Sequence, residues 1–71
     1  MQTIPLTLHR LYNHVVHLCE GRSAAEIEVM FDTGAFALNK LDGTAHSRVQ
    51  IFVCLRAACR NGTVVCCKRF M

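Results

Sequence analysis

Cysteine and histidine are the residues of this 71-residue chain that could most readily bind a metal or act as nucleophiles. The cysteines are Cys19, Cys54, Cys59, Cys66 and Cys67. None of them forms a Cys-x2-Cys zinc knuckle, and His14 and His17 lie far upstream, so we expect no metal site. His17 and Cys19 would point to different sides of a helix and do not form a nucleophile pair. The odd number of cysteines and the adjacent pair indicate reduced thiols and a cytoplasmic location.

A second chemical motif is the string Val-Met-Phe-Asp-Thr-Gly-Ala at 29–35. It resembles the signature of retroviral-type aspartic proteases, in which Asp32 would pair with its copy in a second chain to activate water. That fold also needs a flap and a second glycine-containing loop, which we do not find after Gly34. A catalytic role would therefore require a β fold and dimerisation about Asp32. We expect instead a turn that ends a helix, and a protein that is not an enzyme and needs no cofactor.

Charge is distributed unevenly along what should be a single small domain, 1–71. All five acidic residues precede Gly43, whereas five basic residues and no acidic residue follow it. The longest apolar run, 49–55, is too short for a transmembrane helix, so we expect no membrane partner. The asymmetry indicates a polyanion or an acidic partner for the C-terminal half, although a solvated basic surface would give the same pattern.

Two helices are predicted in the first half of the chain. Over residues 6–20, apolar residues recur at steps of three and four, and Gly21 is placed to end the helix. The Thr7 side chain could cap the N-terminus of this helix. Ser23 and Glu26 form the pattern of a capping box, which predicts a short helix over 24–31. The segment 35–41 is ambiguous between helix and strand, and we favour helix.

The second half is predicted to form a helix and a strand. Ser47 is a possible N-cap, and the run 48–60 places Ile51 and Leu55 on one face. Along another face, a basic stripe recurs every four residues and consists of Arg48, Phe52, Arg56 and Arg60. Residues 63–70 are rich in β-branched side chains, which is typical of a strand. The expected fold is mostly α, with three helices and a short C-terminal β element.

A different fold is also compatible with the second half. Segments 26–31, 35–41, 48–55 and 63–70 could form four strands of an antiparallel meander, because Asp-Gly and Asn-Gly dipeptides favour hairpins. One N-terminal helix would then pack on the sheet. The capping box and the weak strand propensity of 56–58 favour helices instead.

Taken as three helices and a strand, the chain resembles the winged helix-turn-helix family. The residues that carry the resemblance are Leu18, Gly21, the run Ser-Ala-Ala-Glu-Ile at 23–27, Ile51, Leu55, Ala58, Gly62 and Val64. The connection 32–46 is longer than the turn between the second and third helices of that family. Only one wing strand is available, so a partner chain would have to complete the wing.

The resemblance implies a DNA-binding transcriptional regulator whose third helix enters the major groove. The implied site consists of His46, Ser47, Arg48, Gln50, Arg56, Arg60, Lys68 and Arg69. Arg48 would read guanine and Gln50 adenine, while the later cations would bind phosphates of double-stranded DNA. A homodimer is expected, since one such domain buries little surface. The alternative is a protein-interaction module, or an inhibitor, that binds an acidic surface of a larger enzyme.

Overall fold

A computed structural model of the chain describes residues 3–38 and 43–71. The chain folds into three α-helices: α1 at His9–Cys19, α2 at Ala24–Thr33 and α3 at Arg48–Asn61. Short 3-10 helices occupy Leu6–Leu8 and Lys68–Phe70. No strand occurs within the described ranges, where the only β pairing is an isolated bridge between Leu38 and Ala45. The helices predicted over 6–20, 24–31 and 48–60 are therefore present, but the expected fold class was wrong in its β element.

The predicted apolar stripe of α1 faces the core, with Leu8 and Leu18 partly buried at its edges. Leu11, Val15 and Cys19 recur every four residues, and each is at most 3% exposed. These side chains pack against α3, with which α1 forms the most extensive contact between helices. Thr7 does not cap α1, because a 3-10 turn that begins after Pro5 leads directly into the helix. Gly21 follows α1 in the left-handed conformation, as predicted.

Both later helices begin with a complete capping box. The Ser23 hydroxyl accepts from the Glu26 main-chain N–H, and the Glu26 carboxylate accepts from the Ser23 N–H. This main-chain bond is the first reason why the pKa of Glu26 lies below its ordinary value. A lowered folded-state pKa means that this contribution to stability is present above the ordinary Glu range and is lost as pH falls through the folded-state value. Ser47 and Gln50 form the equivalent box at α3.

The caps lead to a prediction about stability. Ser47→Ala and Ser23→Ala should each lower the free energy of unfolding by about 1 kcal/mol, because an N-terminal amide loses its acceptor. Urea denaturation followed by circular dichroism measures the change. Thr7→Ala is the matched control and should have almost no effect, since the Thr7 hydroxyl caps no helix. Equal losses in all three variants would contradict the role of the caps.

The C-terminal segment, predicted as a strand over 63–70, is irregular up to Cys67 and then forms the second 3-10 helix. Its inward side chains are Val64, Cys67 and Phe70, which are spaced by three. A strand would instead have turned Cys66 inward with Val64 and Phe70, but Cys66 is exposed. β-branched residues favour strands only where a partner strand is available, and no strand lies in the described ranges to pair with them. The alternative fold, a four-strand antiparallel meander, was wrong for the same reason, since none of its strands is present in the described ranges.

The connection from α2 to α3 begins at Gly34, whose φ of +79° ends α2 in the left-handed conformation. Ala35 then returns a hydrogen bond to the Met30 carbonyl at 2.9 Å. Phe36 is completely buried, and the His46 N–H donates to the Ala37 carbonyl at 2.8 Å. Residues 35–38 are therefore a turn and a bridge and not the favoured helix, while the rest of that prediction lies outside the described residues.

One hydrophobic core joins these elements. Ile27 and Phe31 enter it from α2, and Phe31, Phe52 and Phe70 form an aromatic cluster with ring centroids 5.3–6.3 Å apart. The edge-to-face geometry between Phe70 and each of the other two rings is the favourable one for aromatic pairs. The C-terminal segment is thus held to α2 and α3 by the burial of Phe70.

Candidate interaction surface on helix α3

Three residues of the predicted DNA-reading set are engaged within the protein itself. Ser47 and Gln50 bond to each other's main chain in the capping box of α3, at 3.2 and 3.1 Å. The imidazole of His46 lies 3.3 Å from the Thr44 hydroxyl. In this conformation the Gln50 side-chain amide oxygen accepts a hydrogen bond from the Ser47 N–H. It would have to release that bond before it could read an adenine.

Arg48 and Arg69 are held together by Phe31 and Asp32 at the end of α2. Their guanidinium carbons lie 4.3 and 4.9 Å from the centroid of the Phe31 ring. Arg69 forms an ion pair with the Asp32 carboxylate at 2.8 Å, and Arg48 lies 4.0 Å from the same oxygen. Arg48 also donates to the Phe31 carbonyl at 3.2 Å. Such cation–π and ion-pair contacts fasten 68–71 and the start of α3 to α2.

Asp32, the residue of the protease-like string, is therefore an ion-pair partner at the end of a helix. Its side chain is 54% exposed, and the turn expected at Thr33 and Gly34 is present. No second carboxylate is among the groups that contact Asp32 in the described part of the chain.

The other three predicted cations lie on α3 and on the 3-10 helix that follows it. Arg56 donates to the main-chain oxygen of Met71 at 3.0 Å, and no carboxylate side chain among the described residues neutralises its charge. The side chains of Arg60 and Lys68 are exposed and form no hydrogen bond or ion pair with a described residue. Arg60 and Lys68 are thus available to a partner, whereas Arg56 lacks a carboxylate side-chain partner but is half-buried and already bonded to Met71.

The outer face of α3 also carries two exposed apolar residues that the sequence interpretation missed. Val49 is 73% exposed and Val53, one turn later, is 38% exposed. At about 100° per residue, Arg56 and Arg60 fall on the same side of the helix, within a sector of about 60°. We call Val49, Val53, Arg56 and Arg60 the α3 outer face. It runs for about 16 Å, apolar at its N-terminal end and basic at its C-terminal end.

Phe52 explains why this face was not recognised from the sequence. Its position, four residues after Arg48 and four before Arg56, suggested one exposed basic and aromatic stripe. In the structure Phe52 is half-buried against Phe31 and Phe70. A spacing of four drifts steadily around a helix, so the stripe starts near α2 at Arg48 and reaches the solvent-facing side only at Arg56.

A shallow groove on α2 is a separate surface feature. It has a volume of about 360 Å³ and is lined by Arg22, Ala25, Glu26, Val29 and Met30. The charges at its edge already neutralise each other, since Arg22 lies 3.4 Å from Glu26. The groove therefore has no charge preference comparable with that of the α3 outer face.

Comparison with protein-family models, curated proteins and solved structures found no match for this chain. Among the residues that the structure describes, no three His, Cys, Asp or Glu side chains are arranged to hold a metal ion. None of the helices in those same ranges is long and apolar enough to cross a membrane. The geometry of the α3 outer face is therefore the main basis for a functional proposal.

The cluster around Asp32 gives a second prediction. Asp32→Asn should change the free energy of unfolding by less than about 1 kcal/mol, because these ion pairs are half exposed to solvent. It should also release Arg48 and Arg69 and tighten binding to any polyanion at low salt. Urea denaturation and titration with a random-sequence DNA duplex measure the two effects. Weaker binding by the variant would show that Asp32 does not restrain the two arginines.

Proposed function

We propose that the protein is a protein-interaction module whose α3 outer face binds an acidic, partly apolar segment of a larger protein. The observation that carries this proposal is the combination of Val49 and Val53 with Arg56 and Arg60 on one exposed side of α3. An enzyme inhibitor is one form that such a module takes. The partner's apolar side chains would cover the valines, and its carboxylates would pair with the arginines.

Charge complementarity supports an acidic partner. No acidic residue follows Gly43 in the sequence, so α3 and the C-terminal segment have no carboxylate side chain of their own to compete for Arg56 and Arg60. A partner of opposite charge would be steered toward this side of the protein, and the apolar contacts would then slow its dissociation. Arginine is also among the residues that contribute most to protein interfaces.

DNA binding stays a second proposal, and a specific observation favours it. Arg56, Arg60 and Lys68 are without carboxylate partners among the described side chains, and such cations bind phosphates. Base reading is less well supported, since Gln50 is engaged in the cap and Arg48 is engaged by Phe31 and Asp32. Exposed valines fit a protein partner better than a phosphate backbone, so we place the protein-interaction module first.

Selection of peptides from a random phage-displayed library against the wild-type protein tests the proposal. We expect the enriched peptides to combine Asp or Glu with apolar residues. A synthetic copy of one enriched peptide would then be titrated by fluorescence anisotropy against Val53→Asp and Arg60→Glu. Each substitution should weaken binding about tenfold, which corresponds to about 1.4 kcal/mol. Leu6→Asp is the control, since Leu6 is an exposed apolar residue outside α3.

Two results would count against the module. Enriched peptides without acidic residues, or peptides whose affinity is unchanged in both α3 variants, would show that another surface binds. A parallel titration with a random-sequence duplex tests the second proposal. Tight binding to DNA that falls steeply with salt and is lost in Arg60→Glu, with no acidic peptides enriched, would place DNA first.

A further inference from the structure

Three cysteines meet at the C-terminal end of α3. Cys59 lies in the last turn of the helix, and the chain reverses at Gly62, whose φ is +74°. The returning segment brings Cys66 and Cys67 back toward Cys59. The thiols of Cys59 and Cys67 each donate to the carbonyl of Val65, both at 3.8 Å. Two of the sulfurs therefore share one acceptor oxygen.

Cys66 is the third cysteine of this group and is the one exposed to solvent. Cys66 directly follows Val65, whose carbonyl accepts from the Cys59 thiol, so the main chain of Cys66 lies beside Cys59. Cys66 is exposed, whereas the other four cysteines are buried. Burial raises the pKa of each of these four thiols, to about 11 for Cys19 and Cys54, which makes all four poor first nucleophiles toward an oxidant at neutral pH. An oxidant in solution therefore meets Cys66 first.

We propose that Cys59 and Cys66 are a modification site at which a peroxide forms a reversible disulfide. Hydrogen peroxide oxidises the Cys66 thiol to a sulfenic acid and is reduced to one water. The Cys59 sulfur then attacks the Cys66 sulfur, loses its proton, and expels the hydroxyl as a second water. Two thiols and one peroxide become one disulfide and two waters, and a dithiol reductant reverses the change.

The neighbouring cysteine is a poorer partner for Cys66 than Cys59 is. Adjacent Cα atoms are about 3.8 Å apart across a trans peptide, which is shorter than the usual Cα separation across a disulfide. A bond between Cys66 and Cys67 would therefore distort the main chain. Cys67 is also buried, and its thiol donates to the Ala24 carbonyl at 3.6 Å as well as to Val65. The Cys59–Cys66 disulfide would tie the C-terminal segment covalently to α3.

The test is to treat the folded protein with hydrogen peroxide, block the remaining thiols with N-ethylmaleimide and measure the mass. We expect two of the five thiols to be lost and then recovered with dithiothreitol. A tryptic digest without reductant should join peptide 57–60 to peptide 61–68, and fragmentation should place the bond at Cys66. Cys66→Ser substitutes an exposed residue, should fold normally, and should keep all of its thiols under the same treatment.

Several results would overturn the proposal. The wild type could keep all of its thiols, or form a bond within peptide 61–68. The linked peptides could also be joined through Cys67, or Cys66→Ser could still lose two thiols. The readout is covalent and needs no binding partner, so its result is independent of whether the α3 outer face binds an acidic protein.

Discussion

Replacing Phe70 by alanine should lower the free energy of unfolding by about 3–5 kcal/mol. Phe70 is completely buried and contacts the rings of Phe31 and Phe52 with centroid distances of 5.3 and 5.5 Å. Its removal would leave a cavity and would also release the C-terminal segment from α2 and α3. For so small a domain, such a loss is a large part of the total stability, so the variant should be largely unfolded at moderate urea concentrations.

Urea denaturation monitored by far-ultraviolet circular dichroism measures this effect. Val65→Ala is the matched control, since Val65 lies in the same segment but is 51% exposed, and its midpoint should hardly move. If Phe70→Ala unfolded at the same urea concentration as the wild type, the Phe70 ring would not be packed between Phe31 and Phe52. The C-terminal segment would then lie outside the core.

Phe36→Ala should have an effect of similar size, again about 3–5 kcal/mol. Phe36 belongs to the connection between α2 and α3, which has little regular structure, yet its side chain is completely buried in the core. The hydrogen bond between His46 and Ala37 and the bridge between Leu38 and Ala45 involve only the main chain around it. Burial of Phe36 is therefore the main apolar contribution that fixes the path of this connection.

Leu38→Ala is the control for Phe36→Ala. Leu38 lies two residues later on the same connection but is 48% exposed, so its truncation should cost far less. Thermal unfolding followed by circular dichroism, together with urea titration, measures both variants. A larger loss for Leu38→Ala than for Phe36→Ala would mean that the connection packs on the core through its other side.

The parts of the fold that the sequence predicted are those governed by local chemistry. The capping box of Ser23 and Glu26 was predicted from a spacing of three, and Ser47 from its place before an apolar period. Gly21 was predicted to end α1 because glycine accepts the left-handed conformation without strain, and its φ is +71°. In each case a few neighbouring residues determine the result, so one sequence is sufficient.

The parts that failed depend on contacts between distant residues. Val64 and Val65 favour a strand locally, but the segment follows the spacing of three that buries Cys67 and Phe70. Nothing near residue 63 in the sequence indicates that the pocket for Phe70 is made by Phe31 and Phe52. Tertiary packing overrode β propensity here, as it often does where no partner strand exists.

The candidate site could be predicted only in part, because it too depends on contacts between distant residues. Arg48 was predicted to reach a base, but Phe31 and Asp32 lie within its reach only once α2 and α3 have folded together. The sequence nevertheless placed Arg56 and Arg60 on an exposed side of α3. Val49 and Val53 were not singled out, because exposed valines cannot be told from core valines without knowing which face of the helix is covered.

The most direct test of the α3 outer face as a binding surface is nuclear magnetic resonance with ¹⁵N-labelled protein. The enriched acidic peptide would be titrated in, and the amide shifts of the protein followed. We expect the largest changes along α3, at Val49, Val53 and Arg60. Changes centred instead on Val29 and Met30 of α2, with α3 unaffected, would contradict binding at the α3 outer face.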